Sequence, residues 1–250
     1  MQLIRWDTAN DTFELGQWFR GRIYEQMSDL SDDGELLLYV ARKGGQRTLD
    51  ELGSDTWTAI SRPPYVTALA LWPHAGYCGG GVFSGHREAL LYISGGMLQA
   101  HAGHEPQGLQ VQAYDQLDEA AVNALAGRRN AWRWDDGERK HGWQLTARRE
   151  RTAPDGVLQL IATARPHKVP RQVVRPIEQF VLRSSHGDIP LGDADFVDFD
   201  QRGRVVLARG GELWLCDELL ATPLRWRMLA DFSAQRPQTG AAPQWATVWP

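Results

Sequence analysis

The chain has 250 residues, 42% of them hydrophobic, with a formal net charge of -4 and a pI near 6.0. That length buries a substantial core without covalent staples, and the mild acidic balance excludes a global attraction for nucleic acid or anionic membranes. Eleven tryptophans and only two cysteines, Cys78 and Cys216, point to half-buried β surfaces and a reducing compartment.

Residues Met1 to Phe13 contain Arg5, Asp7 and Asp11 and no apolar stretch of signal-peptide type, and no run approaches a membrane span. The chain is therefore expected to be cytoplasmic. Gly16 to Met27 reads as a first strand. Asp29 to Gly34 is turn chemistry ending in Asp-Gly, and Glu35 to Val40 is a near-continuous apolar run, as in a strand buried on both faces. Thr48 to Ser54 reads as a loop and Thr56 to Ser61 as a strand. Arg62-Pro63-Pro64-Tyr65 breaks the pattern, because proline donates nothing to a ladder. Val66 to Trp72 and Glu88 to Ile93 are further buried strands, separated by the glycines at 79–81, and Leu109 to Tyr114 alternates weakly.

Asp115 to Arg129 is predicted as an inserted helix, capped by Asp115, with Leu117, Ala121, Ala124 and Leu125 at helical spacing and Arg128 and Arg129 near its end. Beyond it, Trp143 to Arg151, Val157 to Ala164, Gln179 to Ser184, Arg204 to Ala208 and Glu212 to Cys216 read as strands, and the aromatic stretch Pro243 to Pro250 packs onto the body. Leu36, Leu38, Leu90, Tyr92, Leu158, Leu160 and Val206 are the expected core.

Four units share one grammar, a polar turn with glycine followed by four to six apolar residues: Ser31 to Val40, Ser84 to Ile93, Ala153 to Ile161 and Asp200 to Ala208. Leu30-Ser31-Asp32-Asp33-Gly34-Glu35-Leu36-Leu37-Leu38-Tyr39-Val40-Ala41-Arg42 resembles the blade motif of β-propellers of the TolB and WD40-like type, and Asp200 to Trp214 resembles a degenerate second copy. The chain is similar in this respect to uncharacterised bacterial proteins with that scaffold. The resemblance implies a mainly β, propeller-like fold of antiparallel strand repeats over a single domain, 1–250. Irregular spacing and the absence of Trp-Asp blade endings keep a two-sheet sandwich as the runner-up.

No motif carries specific chemistry. Asp193, Asp195, Asp198 and Asp200 form the densest acidic cluster, and paired carboxylates serve calcium binding or acid–base work on glycans. Their ordinary role is to close turns, and no calcium-loop spacing is present. His101 and His104 sit in a Gly- and Pro-bearing loop without further ligands in sequence, so no metal or other cofactor is expected. Cys78 beside glycines, with His74 and His86 nearby, lacks the spacing of a catalytic pair. Trp132-Arg133-Trp134 with Arg128, Arg129, Arg139 and Lys140 mixes bases with aromatics, but Asp135, Asp136 and Glu138 interrupt it, and nucleic acid is not the expected partner.

Two function classes remain. The first is a non-catalytic protein-interaction module, of a bacterial accessory or immunity type, binding a protein through Arg62 and Tyr65 in the proline loop and through Trp132 and Trp134. The alternative is an enzyme acting on a small molecule or glycan through Asp193, Asp195, Asp198 and Asp200.

Overall fold

Apolar runs separated by turn residues must pair to satisfy their backbone groups. In a computed structural model of the protein they pair almost entirely as antiparallel strands. The structure describes residues 1–75, 79–118, 120–121, 132–135, 139–140, 143–144, 147–153, 158–165, 177–185, 187–219, 221 and 223–250. Two compact units are present: Met1–Asp7, Thr12–Arg129 and Arg236–Pro250 form unit 1, and Thr8–Asp11 with Asn130–Gln235 form unit 2.

In unit 1, β1 (Gln2–Asp7) pairs with β2 (Thr12–Trp18). Strands β3 (Arg22–Leu30), β4 (Leu37–Arg42), β5 (Thr56–Ser61) and β6 (Ala70–His74) make a four-stranded antiparallel sheet in chain order. Strands β7 (Gly81–Gly85), β8 (Glu88–Leu91) and β9 (Gln110–Ala113) make a second sheet, in which β8 and β9 run parallel. The expected strand over Gly16 to Met27 is thus two strands, interrupted at Phe19 to Gly21. At the break Gly21 passes β4 so closely that a Cβ there would lie 2.6 Å from the Arg42 carbonyl oxygen.

The both-faces reading of Glu35 to Val40 holds for β4. Leu38 faces a core with Ile60, Trp72, Phe83 and Leu91, while Tyr39 and Ala41 face a second core with Ile23, Trp57 and Leu71. All six residues of β5 are buried. Trp72 donates its indole N–H to the Leu98 carbonyl at 2.9 Å, and Tyr39 donates its hydroxyl to the Val66 carbonyl at 2.7 Å, so both large polar tips are satisfied. Of the expected core residues, Leu36, Leu38, Leu90, Leu158, Leu160 and Val206 are buried, and Tyr92 is only half-buried.

Two helix expectations change. Residues 48–54 are not a loop throughout, because α1 (Gln46–Leu52) occupies most of them. Its only buried residue is Thr48 and Leu49 is exposed, so it leaves no amphipathic signature. It is held by Gln46–Asp50 and Arg47–Glu51 side-chain pairs at 2.8 Å each, and ends at Gly53, whose left-handed backbone lets its N–H reach the Leu49 carbonyl. Conversely, Asp115 caps no helix. Its carboxylate accepts the Gly95 N–H at 2.8 Å, Tyr114–Gln116 is a single 3-10 turn, and Leu117 is extended. Ala120 and Ala121 have helical backbone, with Asp118 accepting the Ala121 N–H at 2.7 Å. Residues 119 and 122–129 of the expected helix lie outside the described residues.

In unit 2, β10 (Trp132–Asp135), β13 (Ala147–Thr152), β14 (Gln159–Arg165), β15 (Ile177–Ser184) and β16 (Gly187–Asp193) form one antiparallel sheet in that order. Strands β11 (Arg139–Lys140) and β12 (Trp143–Gln144) form a short pair. Strands β17 (Phe196–Phe199), β18 (Val205–Arg209), β19 (Glu212–Cys216) and β20 (Arg227–Asp231) form a second four-stranded sheet in chain order. Leu160, Phe180, Leu182, Val197, Val205 and Cys216 from the two larger sheets share one core.

Leu38 and Leu160 are fully buried at these centres. Replacing either with alanine should lower stability by about 2–5 kcal/mol, read from urea melts, whereas the same change at exposed Leu49 should cost far less. A pH effect should accompany this. His74 is buried, with Nε2 at 3.0 Å from the Thr58 hydroxyl, and burial pushes its imidazole below the ordinary value near 6.5. The unfolded chain therefore takes up this proton first. The His74 contribution is level above about pH 6.5, and stability falls as pH drops from there through the lower folded value. Melts at pH 7 and pH 5 should show a larger loss in the wild type than in His74→Gln; equal losses would exclude His74 as the source.

Candidate functional site

The Arg62–Tyr65 loop follows directly from β5, whose last residue, Ser61, is wholly buried. The Tyr65 N–H closes the loop onto the Arg62 carbonyl at 2.9 Å, and the Pro63–Pro64 bond is cis. Pro64 is buried against β2: the Gln17 N–H donates to its carbonyl at 3.0 Å, and a Cβ at Gly16 would overlap that oxygen. Only glycine allows this approach, so the loop base is fixed.

This fixed loop does not present Arg62 and Tyr65 as free anchors. Both hold Trp245, from the short 3-10 helix Gln244–Thr247. The Arg62 guanidinium lies 5.1 Å from the Trp245 ring centroid and donates to the Trp245 carbonyl at 3.0 Å. Its other terminal nitrogen donates to Glu35 at 3.0 Å. Tyr65 meets the same indole edge-on, with centroids 5.4 Å apart and an interplanar angle of 83°. Trp245 nevertheless remains 39% exposed, and nearby Val248 is 49% exposed.

Glu35 also lines a small hollow with Ser31, Asp33, His86, Arg87 and Pro250. Arg87 donates to the Pro250 carbonyl at 2.7 Å. The Ser31 hydroxyl donates to Asp33 at 2.6 Å and accepts the Leu36 N–H at 2.9 Å. The Ser31 hydroxyl and the Glu35 N–H together hold the Asp33 carboxyl below the usual carboxylate range, which weakens it as a base. These bonds close a turn; they do not prepare a nucleophile.

The acidic cluster is also used structurally. Asp195 accepts the Gly210 N–H at 2.8 Å and Asp198 accepts the Phe199 N–H at 2.7 Å. Asp200 is buried and accepts the N–H groups of Arg202 and Arg204 at 2.9 Å each and Nε of Arg204 at 2.7 Å. The buried Arg204 then grips Asp11 with both terminal nitrogens, at 2.9 and 3.0 Å, and donates to the Thr8 carbonyl at 3.0 Å. This fork holds the Asp11 carboxyl below its ordinary range, and Asp11 in turn raises the Arg204 value further, so the guanidinium stays charged. Of Asp193, only the backbone is described, at the end of β16.

Trp132 and Trp134 occupy β10, level with Arg151 and Arg149 of β13. Their side chains lie outside the described residues, as does Cys78. Cys216 is buried, and burial pushes its thiol above the ordinary range, away from the reactive thiolate. His101 and His104 dock by their rings onto the carbonyls of Glu51 and Ala68, at 3.1 and 3.0 Å. Among the described residues, no group of three or more His, Cys, Asp or Glu is placed to hold a metal ion, and no helix is long and apolar enough to cross a membrane.

The sequence offered Arg62 and Tyr65 as candidate anchors and gave no sign of Trp245, Glu35 or Arg87 beside them. Trp245 lies 183 residues from Arg62, and no spacing rule reaches that far. No protein family, curated protein or solved structure matches this chain.

The Asp200–Arg204–Asp11 network makes its own prediction. Arg204→Met leaves a buried carboxylate unpaired and should cost about 3–5 kcal/mol. Asp200→Asn, which keeps an oxygen for the two backbone N–H groups, should cost clearly less. Urea melts of both variants at pH 7 check the order; a nearly neutral Arg204→Met would show that the network carries little stability.

Proposed function

We propose that the chain is a non-catalytic protein-interaction module, and that Arg62, Trp245 and Tyr65 form its principal anchor. One observation carries this reading: Trp245 is held by Arg62, at its ring and its carbonyl, and by Tyr65 edge-on, yet keeps 39% of its surface open. An immobilised aromatic flanked by arginine is the side-chain combination that dominates protein interfaces, and it loses little conformational freedom on docking. Trp132 and Trp134 remain a proposed second anchor. The alternative, an enzyme using Asp193, Asp195, Asp198 and Asp200, has less support, because the described carboxylates among them already accept backbone or arginine donors.

We also propose that the sheets are propeller-like blades, after the resemblance to TolB and WD40-type repeats. The chain-order meanders β3 to β6 and β17 to β20 support this. So does the matching closure of two turns, where Ser31 and Asp200 each accept a backbone N–H by a side-chain oxygen and pair their own N–H with the carbonyl of Leu36 and Arg204. A two-sheet sandwich is the runner-up, supported by the core that two sheets share in each unit. The repeated strand-turn units and the eleven tryptophans are the grounds for proposing a bacterial accessory or immunity-type protein, and the two cysteines are the ground for proposing the cytoplasm.

Affinity capture of the tagged full chain, followed by mass spectrometry, should identify a protein partner. Trp245→Ala should then weaken that partner by more than about 1 kcal/mol, and Tyr65→Ala by a similar amount, with the core-sensitive melting temperature nearly unchanged. Undiminished binding in both variants would remove this surface from the reading.

A further inference from the structure

The two histidines that dock on carbonyls leave one side of each ring unused. Their turn is laid along the edge of β6, the last strand of its sheet. The His101 N–H donates to the Leu71 carbonyl at 2.8 Å, the Leu71 N–H donates to the His104 carbonyl at 3.1 Å, and the His104 N–H closes the turn on the His101 carbonyl at 2.9 Å. A carbonyl oxygen only accepts, so each ring contact assigns a tautomer. Nε2 of His101 carries the proton it donates to Glu51 at 3.1 Å, and Nδ1 of His104 carries the one it donates to Ala68 at 3.0 Å. Two bare ring nitrogens are left over, Nδ1 of His101 and Nε2 of His104. The first is buried and has no hydrogen-bond partner among the described residues, and the second bonds to none of them either. The ring centroids lie 5.9 Å apart, with the planes tilted by 45°.

We propose that His101 and His104 form a binding site for one divalent ion of the zinc and copper class, with water in its remaining positions. Tying down a loop accounts for the two N–H groups. It does not account for a buried acceptor with no donor, whose desolvation goes uncompensated. The lone pair of a neutral imidazole is a metal ligand, and imidazole suits zinc and copper. Ligating histidines characteristically donate their other N–H to a carboxylate, a backbone carbonyl or water, which fixes tautomer and ring orientation. Both rings already stand so, on carbonyls of α1 and of the connection before β6. Metal–nitrogen bonds of about 2.0–2.1 Å allow two imidazoles on one ion a centroid separation of up to about 6.4 Å. The observed 5.9 Å lies within that reach. Both histidines are partly exposed, which leaves room for water on the ion. Two neutral nitrogens disfavour calcium and magnesium, which take oxygen ligands. The site uses no residue of the Trp245 anchor and goes beyond the interaction-module reading.

Zinc titrated into the full chain at pH 7, followed by calorimetry, tests the site. One equivalent should bind and raise the melting temperature, because an ion held only by the folded state stabilises it by mass action. Calcium should do neither. His101→Gln and His104→Gln keep an N–H for the Glu51 and Ala68 carbonyls but lack the bare nitrogen. Each should weaken zinc at least tenfold with an unchanged circular dichroism spectrum. The chain has seven histidines, so these variants decide the location. A wild type that binds no zinc, or binding undiminished in both variants, overturns the proposal. Nitrogen-15 spectra of the wild-type imidazoles give a second measure that needs no substitution. Zinc should shift Nδ1 of His101 and Nε2 of His104 together; if these two signals stay in place while zinc binds, the site is elsewhere and the assignment is wrong.

Discussion

Sheet β3–β6 is apolar on both faces, and that constraint organises unit 1. Leu38 and Tyr39, adjacent in β4, point into different cores, and β5 has no exposed residue. A two-faced apolar sheet needs cover on each side, because every open face leaves hydrophobic surface in water. One face is covered by β7 and β8 with Ile93 and Leu109. The other is covered by Leu3 of β1, Leu52 of α1, and Phe19, Val66 and Ala68 from the connections. The 236–250 segment joins this cover through Trp249. The Trp245 surface is thus tied to the need to close a core, and the proline loop that braces it is held at its base by β2 through the Gln17 N–H.

Unit 2 meets a different problem, a buried charge. Arg204 follows the β17–β18 turn and enters an environment where an unpaired guanidinium would be costly. Asp200 and Asp11 satisfy it, and Thr8 adds a carbonyl. This explains why the Thr8–Asp11 segment belongs to unit 2. It also explains why the densest acidic stretch among the described residues offers little to a ligand: the buried carboxylate of Asp200 already accepts three hydrogen bonds from Arg202 and Arg204, just ahead of β18.

The same economy runs through the other polar groups that invite a catalytic reading. Ser31 and Asp33 close the β3–β4 turn, His74 packs with Thr58, and His101 and His104 tie a loop to neighbouring carbonyls. Each side chain answers a local backbone or packing demand. Where Arg62 and Tyr65 brace Trp245, by contrast, a held aromatic face stays open.

Much of the strand content was legible in the residues. Thr56 to Ser61 and Glu212 to Cys216 read as strands at their observed bounds, since β-branched and aromatic runs between turn residues carry their own signal. The buried character of β4 was equally visible in its unbroken apolar run. Strands β1, β16, β17 and β20 were not legible, because they are short or polar and exist by pairing with a neighbour. Helix α1 lacked an apolar face to betray it. The sequence by itself determined the β class, the turns and most of the core, all properties of local pattern. Which side chains meet was decided only by tertiary structure. Arg62 finds Trp245, and Arg204 finds Asp11, across 183 and 193 residues, and such contacts depend on how the sheets stack and not on any spacing along the chain.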